Sequence, residues 1–317
     1  MSTDARAARL GRPWGCVPTL ALVGDVDPAP ARAGGWEVRG RLGASPFTGG
    51  PREDVAGYLD VDELVADARV DGVLLDGTDE RLAGVLPLLR EAGLLVLLPG
   101  PAPLDLELVR AARAVEGPEV GVGLVTRWEP WARTVTAALP LAGGPPLQMT
   151  VRGWPAGAAA AAELADLVAG WCGEVAAVAA APAPLPADAL PDGEPVDWAL
   201  LTASGATVLV THTGPAPSVR VSFASARLDA GPAGARWHGG EPLPLLLPPA
   251  WVPPAPRGVA PGLVATAAAL SEALGGAELP VRADDVRPAD LGDLLVAARV
   301  VEALLTSART ERLVPTA

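Results

Sequence analysis

Side chains that usually carry proton, acyl or metal chemistry are scarce in this chain. All 24 basic residues are arginine and none is lysine. No position can form a Schiff base or pass a proton from an ammonium. Arginine cannot substitute, because its guanidinium stays protonated at any working pH. Isoleucine and asparagine are also missing, which marks a G+C-rich genome and accounts for most of the arginine on the surface. A catalytic lysine would survive such a bias, so its absence bears on function. The two histidines, His212 and His238, are isolated in sequence and read as structural or surface groups. Cys16 and Cys172 lack metal-ligand spacing and read as thiols of a reducing compartment. No nucleophile elbow, histidine pair or carboxylate cluster with ligand spacing is present, so a hydrolase or metalloenzyme is the least supported class and no metal is expected.

The elements that must position any remaining chemistry come next. The chain has 317 residues, 50% hydrophobic and 19% charged, a globular composition with room for two domains. A net charge of -13 repels phosphate backbones and anionic lipid, so nucleic acid is not an expected partner. Met1 to Gly15 lacks the apolar run of a signal peptide. The longest apolar stretch, Leu82 to Leu98, is broken by Pro87, Arg90 and Glu91, so no membrane span is expected. A cytoplasmic location follows.

From Thr19 to Val125, short apolar runs alternate with amphipathic stretches, the pattern of a parallel sheet covered by helices. Strands are predicted at Leu20 to Val23, Trp36 to Leu42, Gly72 to Leu75, Leu94 to Leu98 and Val120 to Val125. Helices are predicted at Asp62 to Ala68, from Asp79 with a kink at Pro87, and at Asp105 to Val115. After Pro140 the texture changes. An extended segment at Leu147 to Arg152 precedes an alanine-rich helix at Ala158 to Trp171, and strands are expected at Val175 to Ala180, Ala206 to His212 and Ser218 to Ala224. Proline-rich loops fall at Ala181 to Val196 and Glu241 to Gly258. The second of these reads as a stiff loop over a sheet end in preference to a partner-docking polyproline segment. A final amphipathic helix begins near Ala289, with Leu291, Leu294, Leu295, Ala298, Val301 and Leu305 on one stripe.

Several local motifs add to this order: Asp62-Glu63-Leu64-Val65-Ala66-Asp67 with Val70-Asp71-Gly72-Val73, Glu91-Ala92-Gly93, Arg127-Trp128-Glu129-Pro130, Asp166-Leu167 with Trp171-Cys172-Gly173-Glu174-Val175, and Arg299-Val300-Val301-Glu302-Ala303 with Ser307-Ala308-Arg309-Thr310. Together they resemble the Gfo/Idh/MocA family of NAD(P)-dependent sugar and inositol oxidoreductases. The resemblance implies an α/β N-terminal Rossmann-like domain, here with a truncated first crossover, followed by an α+β C-terminal domain with an open, mostly antiparallel sheet. Residues 1–18 would form a tail, 19–126 the first domain and 127–317 the second, with the final helix returning to the first.

The family's functional motifs are largely missing. A dinucleotide site needs a glycine-rich turn after the first strand, so that helix N-terminal amides can approach the pyrophosphate. Gly24 is the one remnant, followed by Asp25-Val26-Asp27-Pro28-Ala29-Pro30, which sets two acids and two prolines in that place. No acidic residue ends the second strand near Gly43, and Arg39 and Arg41 read as its solvated face. The family's Glu-Lys-Pro aligns with Pro99-Gly100-Pro101, and its threonine-proline-histidine segment with Gly77, Thr78 and Leu82. The helix that presents an aspartate and a histidine aligns with Ala159 and Glu163, leaving Asp166 one turn beyond.

The resemblance therefore implies a non-catalytic homologue with no bound cofactor, which binds a small polar ligand or stabilises a partner, as a homodimer or with an active homologue. Its cleft would hold Asp76, Thr78, Arg127, Glu129, Glu163 and Asp166, with Trp128 and Trp154 as stacking surfaces for a sugar-like ligand. The alternative is an active NAD(P)-dependent sugar or cyclitol oxidoreductase with a rebuilt site, in which Glu163 or Asp166 serves as base with a pKa raised by burial.

Overall fold

The computed structural model describes residues 17–43, 56–79, 83–118, 120–180, 197–239, 261–273 and 288–316. Leu82 and both proline-rich loops lie outside these residues. The chain divides into two units, with breaks between Val125 and Thr126 and between Leu295 and Val296.

The first unit is built on β1 (Thr19–Val23), α1 (Ala29–Ala33), β2 (Glu37–Leu42), β3 (Ala56–Tyr58), α2 (Val61–Ala66), β4 (Gly72–Leu75), α3 (Leu86–Glu91), β5 (Leu95–Leu98), α4 (Leu106–Ala114) and β6 (Val120–Val122). Its six strands lie in the order β3-β2-β1-β4-β5-β6, and every pairing is parallel. This is the doubly wound order of dinucleotide-binding folds, in which the chain reverses direction across the sheet between β1 and β4. The carboxylate of Asp71, just before β4, accepts from the backbone N–H of Thr19 (2.8 Å) and its hydroxyl (3.0 Å), aligning the starts of the two central strands.

Strand alternation splits the core into two faces. Ala21, Val23, Val73, Leu75, Val96 and Leu98 pack with Leu86, Leu89, Val109 and Ala112 of α3 and α4. Leu20, Leu22, Leu74, Leu95 and Leu97 form the other face. Helix starts follow from local chemistry. Asp60 accepts the N–H of Glu63 while Glu63 accepts that of Leu59, and Asp105 accepts the N–H of Leu108. The N–H of Ala83 donates to the carbonyl of Asp79 (2.8 Å), residues 84–85 form a turn, and Pro87 follows. It lies in the first turn of α3, where its missing N–H leaves no broken bond.

The second unit holds a short 3-10 turn (Val125–Trp128, whose last three residues belong here), α5 (Pro130–Ala138), β7 (Gln148–Arg152), α6 (Ala158–Cys172), β8 (Val175–Ala180), β9 (Trp198–Thr202), β10 (Thr207–Val210), β11 (Ser218–Ser222), β12 (Arg227–Gly231) and β13 (Gly234–His238). With the terminal β14 (Val314–Pro315) these form one open sheet, β13-β12-β11-β7-β10-β9-β8-β14. Only β7 and β10 pair in parallel; the other neighbours are antiparallel. Both sheets match the expected fold class.

Two late helices complete the structure. Helix α7 (Pro261–Ala273) belongs to the first unit, although the sequence reading gave all of 127–317 to the second domain. Leu263, Ala267 and Leu270 cover the Leu20–Leu22–Leu97 face, which α1, a single turn, cannot cover alone. Helix α8 (Leu291–Thr310) starts in the first unit, where Leu291, Leu294 and Leu295 join the α3–α4 face, and continues in the second. Ala298 and Val301 of its predicted stripe are buried, but Leu305 is 56% exposed and leaves the stripe one turn early.

Candidate functional site

In the first unit, acids and prolines fill the turn after β1, where the resemblance puts a diphosphate. Gly24 has φ of 91°, a conformation glycine tolerates, but its N–H donates to the carbonyl of Leu42 (3.0 Å). At the start of α1, the carboxylate of Asp27 accepts the N–H of Ala29 (2.9 Å), and Pro28 and Pro30 have no N–H to offer. An acidic side chain therefore occupies the position from which a phosphate oxygen would be held. The guanidinium of Arg41 donates to the carbonyl of Val26 (3.3 Å). These residues do not fit a dinucleotide's diphosphate.

After β4, one carboxylate oxygen of Asp76 accepts both the N–H (3.0 Å) and the hydroxyl (2.6 Å) of Thr78, closing a local turn. A Cβ on the intervening Gly77 would lie 2.3 Å from the carbonyl oxygen of Ala102, so the loops after β4 and β5 touch backbone to backbone. Gly100, at the position of the missing lysine, has open space where a Cβ would stand.

The other candidates meet in the second unit. Glu163 and Asp166 lie three residues apart on α6 and so share one helix face. Glu163 accepts the N–H of Thr126 (3.0 Å). Asp166 takes the guanidinium of Arg127 through both oxygens, Nε to Oδ2 at 3.0 Å and Nη2 to Oδ1. The side chains of this pair are only 15% and 5% exposed. The two candidate bases thus clamp the segment that opens the second unit. Asp166 in particular is held as the bidentate partner of a guanidinium.

Trp128 does not serve as a stacking surface, because it is buried at 8% exposure. Trp154 is also buried, but it borders a cavity of about 260 Å³ with Trp131, Pro155, Pro217, Pro232, Thr126, Glu129 and Glu163. Glu129, Trp154 and Glu163 are expected there from the sequence; Trp131 is not. Trp131 falls on the buried α5 stripe with Thr134, Val135 and Ala138, and that spacing reads as core. It meets Trp154 and Trp171 edge to face, with centroids 6.4 and 6.1 Å away.

His212 helps to hold this wall. Its Nδ1 lies 2.8 Å from the carbonyl of Trp154, which can only accept, and its Nε2 lies 3.2 Å from the indole N–H of Trp198, which can only donate. Both ring nitrogens are therefore committed to the wall. His238 pairs with Asp229 at 3.1 Å. Among the described residues no group of three His, Cys, Asp or Glu could hold a metal, and no helix is long and apolar enough to cross a membrane.

Cys172 is a free thiol at the end of α6, and burial pushes its pKa up to about 12. Tyr58 also rises to about 12, through burial first and then its hydrogen bond to Asp67. Both groups are neutral when folded, so the stability they favour is complete below their unfolded values of 9.0 and 10.0 and is lost as pH rises toward 12. Unfolding followed against pH is expected to show an alkaline loss starting near 9.0. In Cys172→Ala the onset should move to about 10, where Tyr58 titrates.

No family model and no curated protein sequence matches the chain. Solved structures do. An oxidoreductase from Agrobacterium radiobacter, determined with NAD+, L-tartaric acid and magnesium, superposes with a TM-score of 0.65 at 18% identity, covering 95% of this chain and 99% of that one. The WlbA dehydrogenase of Bordetella pertussis, with NADH and UDP-GlcNAcA, gives 0.65 at 16% identity over 96% and 99%. An aldose-aldose oxidoreductase from Caulobacter crescentus complexed with glycerol gives 0.64 at 19% over 95% and 100%. The chain shares the fold of these solved oxidoreductases. Against that fold, the departures in this chain gain meaning: Asp25 and Asp27 follow β1, Pro99-Gly100-Pro101 follow β5, and Arg127 claims the carboxylate on α6.

Proposed function

We propose that this chain is a non-catalytic homologue on the Gfo/Idh/MocA scaffold, one that has given up dinucleotide binding and keeps a small-ligand cavity in its second unit. It would act in the cytoplasm as a ligand-binding or partner-stabilising protein, as a homodimer or beside an active homologue. One observation carries the reading: the carboxylate of Asp27 holds the N–H at the start of α1, between two prolines that have none. A diphosphate would have to displace that carboxylate and approach Asp25 as well. Two like charges about 4 Å apart repel by roughly 1 kcal/mol in water and 4 kcal/mol near a protein surface. The engagement of Asp166 by Arg127 supports the same reading, since it takes away the best-buried candidate base.

The test is titration with NADH and NADPH while energy transfer from tryptophan to the nicotinamide is monitored. Nine tryptophans give the signal. No saturation is expected up to about 1 mM, a dissociation constant that corresponds to about 4 kcal/mol. Saturation at micromolar nucleotide would overturn the proposal. It would favour the alternative, an active sugar or cyclitol dehydrogenase with a rebuilt site, which draws its support from neighbours solved with NAD+ or NADH. Gly100→Lys belongs in the same assay. The open space at Gly100 lets the lysine in without disturbing the fold, yet no NAD reduction is expected, because the seat for the nucleotide is missing as well.

A further inference from the structure

We infer that the cavity walled by Trp131 and Trp154 takes a small organic cation, an ammonium on a compact apolar body, with Glu129 as its counter-charge. This rests on the reading above, that the second-unit cavity is the binding site the chain retains.

The lining decides the class of ligand. The walls are two indoles and three prolines, Pro155, Pro217 and Pro232; two carboxylates border the space, and among the described residues no arginine or histidine does. An anion meets only repulsion there. A polyol needs donors as well as the acceptors that the two carboxylates offer, and the indole N–H of Trp154 is already given to the carbonyl of Ala160 (2.7 Å). Each sugar hydroxyl left unpaired in such a place costs roughly 1 to 3 kcal/mol. An ammonium with methyl or methylene groups suits both features, since indole faces attract cations by roughly 0.5 to 2 kcal/mol and the apolar body covers the prolines.

Glu129 supplies the charge. It stands at the N-cap of α5, yet its carboxylate makes no capping bond, and it has no ion pair among the described residues. Glu163 is held by the N–H of Thr126. The walls are fixed before any ligand arrives: Trp154 is tied at its ring nitrogen and its carbonyl, and Trp131 is wedged between Trp154 and Trp171. A preformed cavity spends little of the binding energy on ordering itself. At about 260 Å³ it accepts a small molecule and not a nucleotide.

The experiment titrates the full chain with choline chloride, with its neutral isostere 3,3-dimethylbutan-1-ol and with myo-inositol, reading heat and tryptophan emission against a sodium chloride control. Choline is expected to saturate and to bind about tenfold or more tighter than the isostere, a difference of about 1.4 kcal/mol. Glu129→Gln, a change at an exposed position, should weaken choline about tenfold and leave the isostere unchanged. No saturation by about 10 mM choline would sink the inference, since that is weaker than the millimolar end of ordinary binding. Equal binding of the isostere, tighter binding of inositol, or indifference to Glu129→Gln would sink it too. Nucleotide saturation in the separate NADH titration would overturn the proposed function; silence of both NADH and choline would remove this inference alone.

Discussion

Asp166→Ala is expected to lower the stability of the fold by about 3 to 5 kcal/mol, the loss typical when one partner of a buried ion pair is removed. Asp166 and Arg127 are joined by two hydrogen bonds, with side chains 5% and 15% exposed. Deleting the carboxylate removes the bidentate partner of a guanidinium that cannot deprotonate to escape. The double variant Arg127→Met with Asp166→Leu should recover most of the loss, because an apolar pair of similar volume often replaces a buried ion pair with little penalty. Chemical denaturation of the wild type, Arg127→Met, Asp166→Leu and the double variant closes the cycle. The result also bears on chemistry. If Asp166→Ala costs less than about 1 kcal/mol, the pair behaves as a solvent-screened one. Asp166 would then be available to take a proton, and the active-enzyme alternative would regain its base.

The parts of the fold that could be read in the sequence are those whose residues answer to one constraint. Leu20 to Val23, Gly72 to Leu75 and Leu94 to Leu98 are buried on both faces, so continuous apolar runs reveal them. Asp105 announces its helix because a cap is a local bond. The hairpin of β12 and β13 was not legible. Arg227, Asp229, Arg236 and His238 break its apolar pattern, yet they stand side by side across the two strands, Asp229 opposite Arg236 and Arg227 opposite His238. That compensation exists only once the strands are paired. Trp128 and Trp154 could not be told apart from sequence, since both are buried indoles and only three-dimensional packing leaves a cavity beside one of them. The state of Asp166 was equally hidden, because Arg127 lies 39 residues away.

Helix α7 was the largest omission, and its sequence Pro-Gly-Leu-Val-Ala-Thr-Ala-Ala-Ala-Leu-Ser-Glu-Ala explains why. Residues 262–268 are all buried, so no polar stripe marks a helical period. Its seat was nevertheless encoded far upstream, at Gly34, and this gives a second large expected effect. A Cβ on Gly34 would lie 2.7 Å from the Cβ of Ala267, 2.8 Å from the nitrogen of Ala268 and 3.0 Å from the carbonyl carbon of Ala267. Gly34 has φ of -81°, which any residue adopts, so the penalty of a substitution there is steric and carries no backbone strain. Gly34→Val is expected to destabilise the chain by about 3 kcal/mol, at the upper end of overpacking losses. It drives α7 away from α1, and with it the carbonyl of Ala267 that accepts the buried indole N–H of Trp36 at 2.7 Å. Pairing the change with Ala267→Gly separates the contributions. Removing the Ala267 methyl relieves one of the three contacts and leaves the two to backbone atoms, which cannot move unless the helix does. Rescue should therefore be partial, with more than half of the loss persisting in thermal or urea unfolding. Full rescue would mean that α7 meets α1 through side chains alone. The glycine would then be a convenience of packing and not the notch in which the returning helix seats to cover the face that a one-turn α1 leaves open.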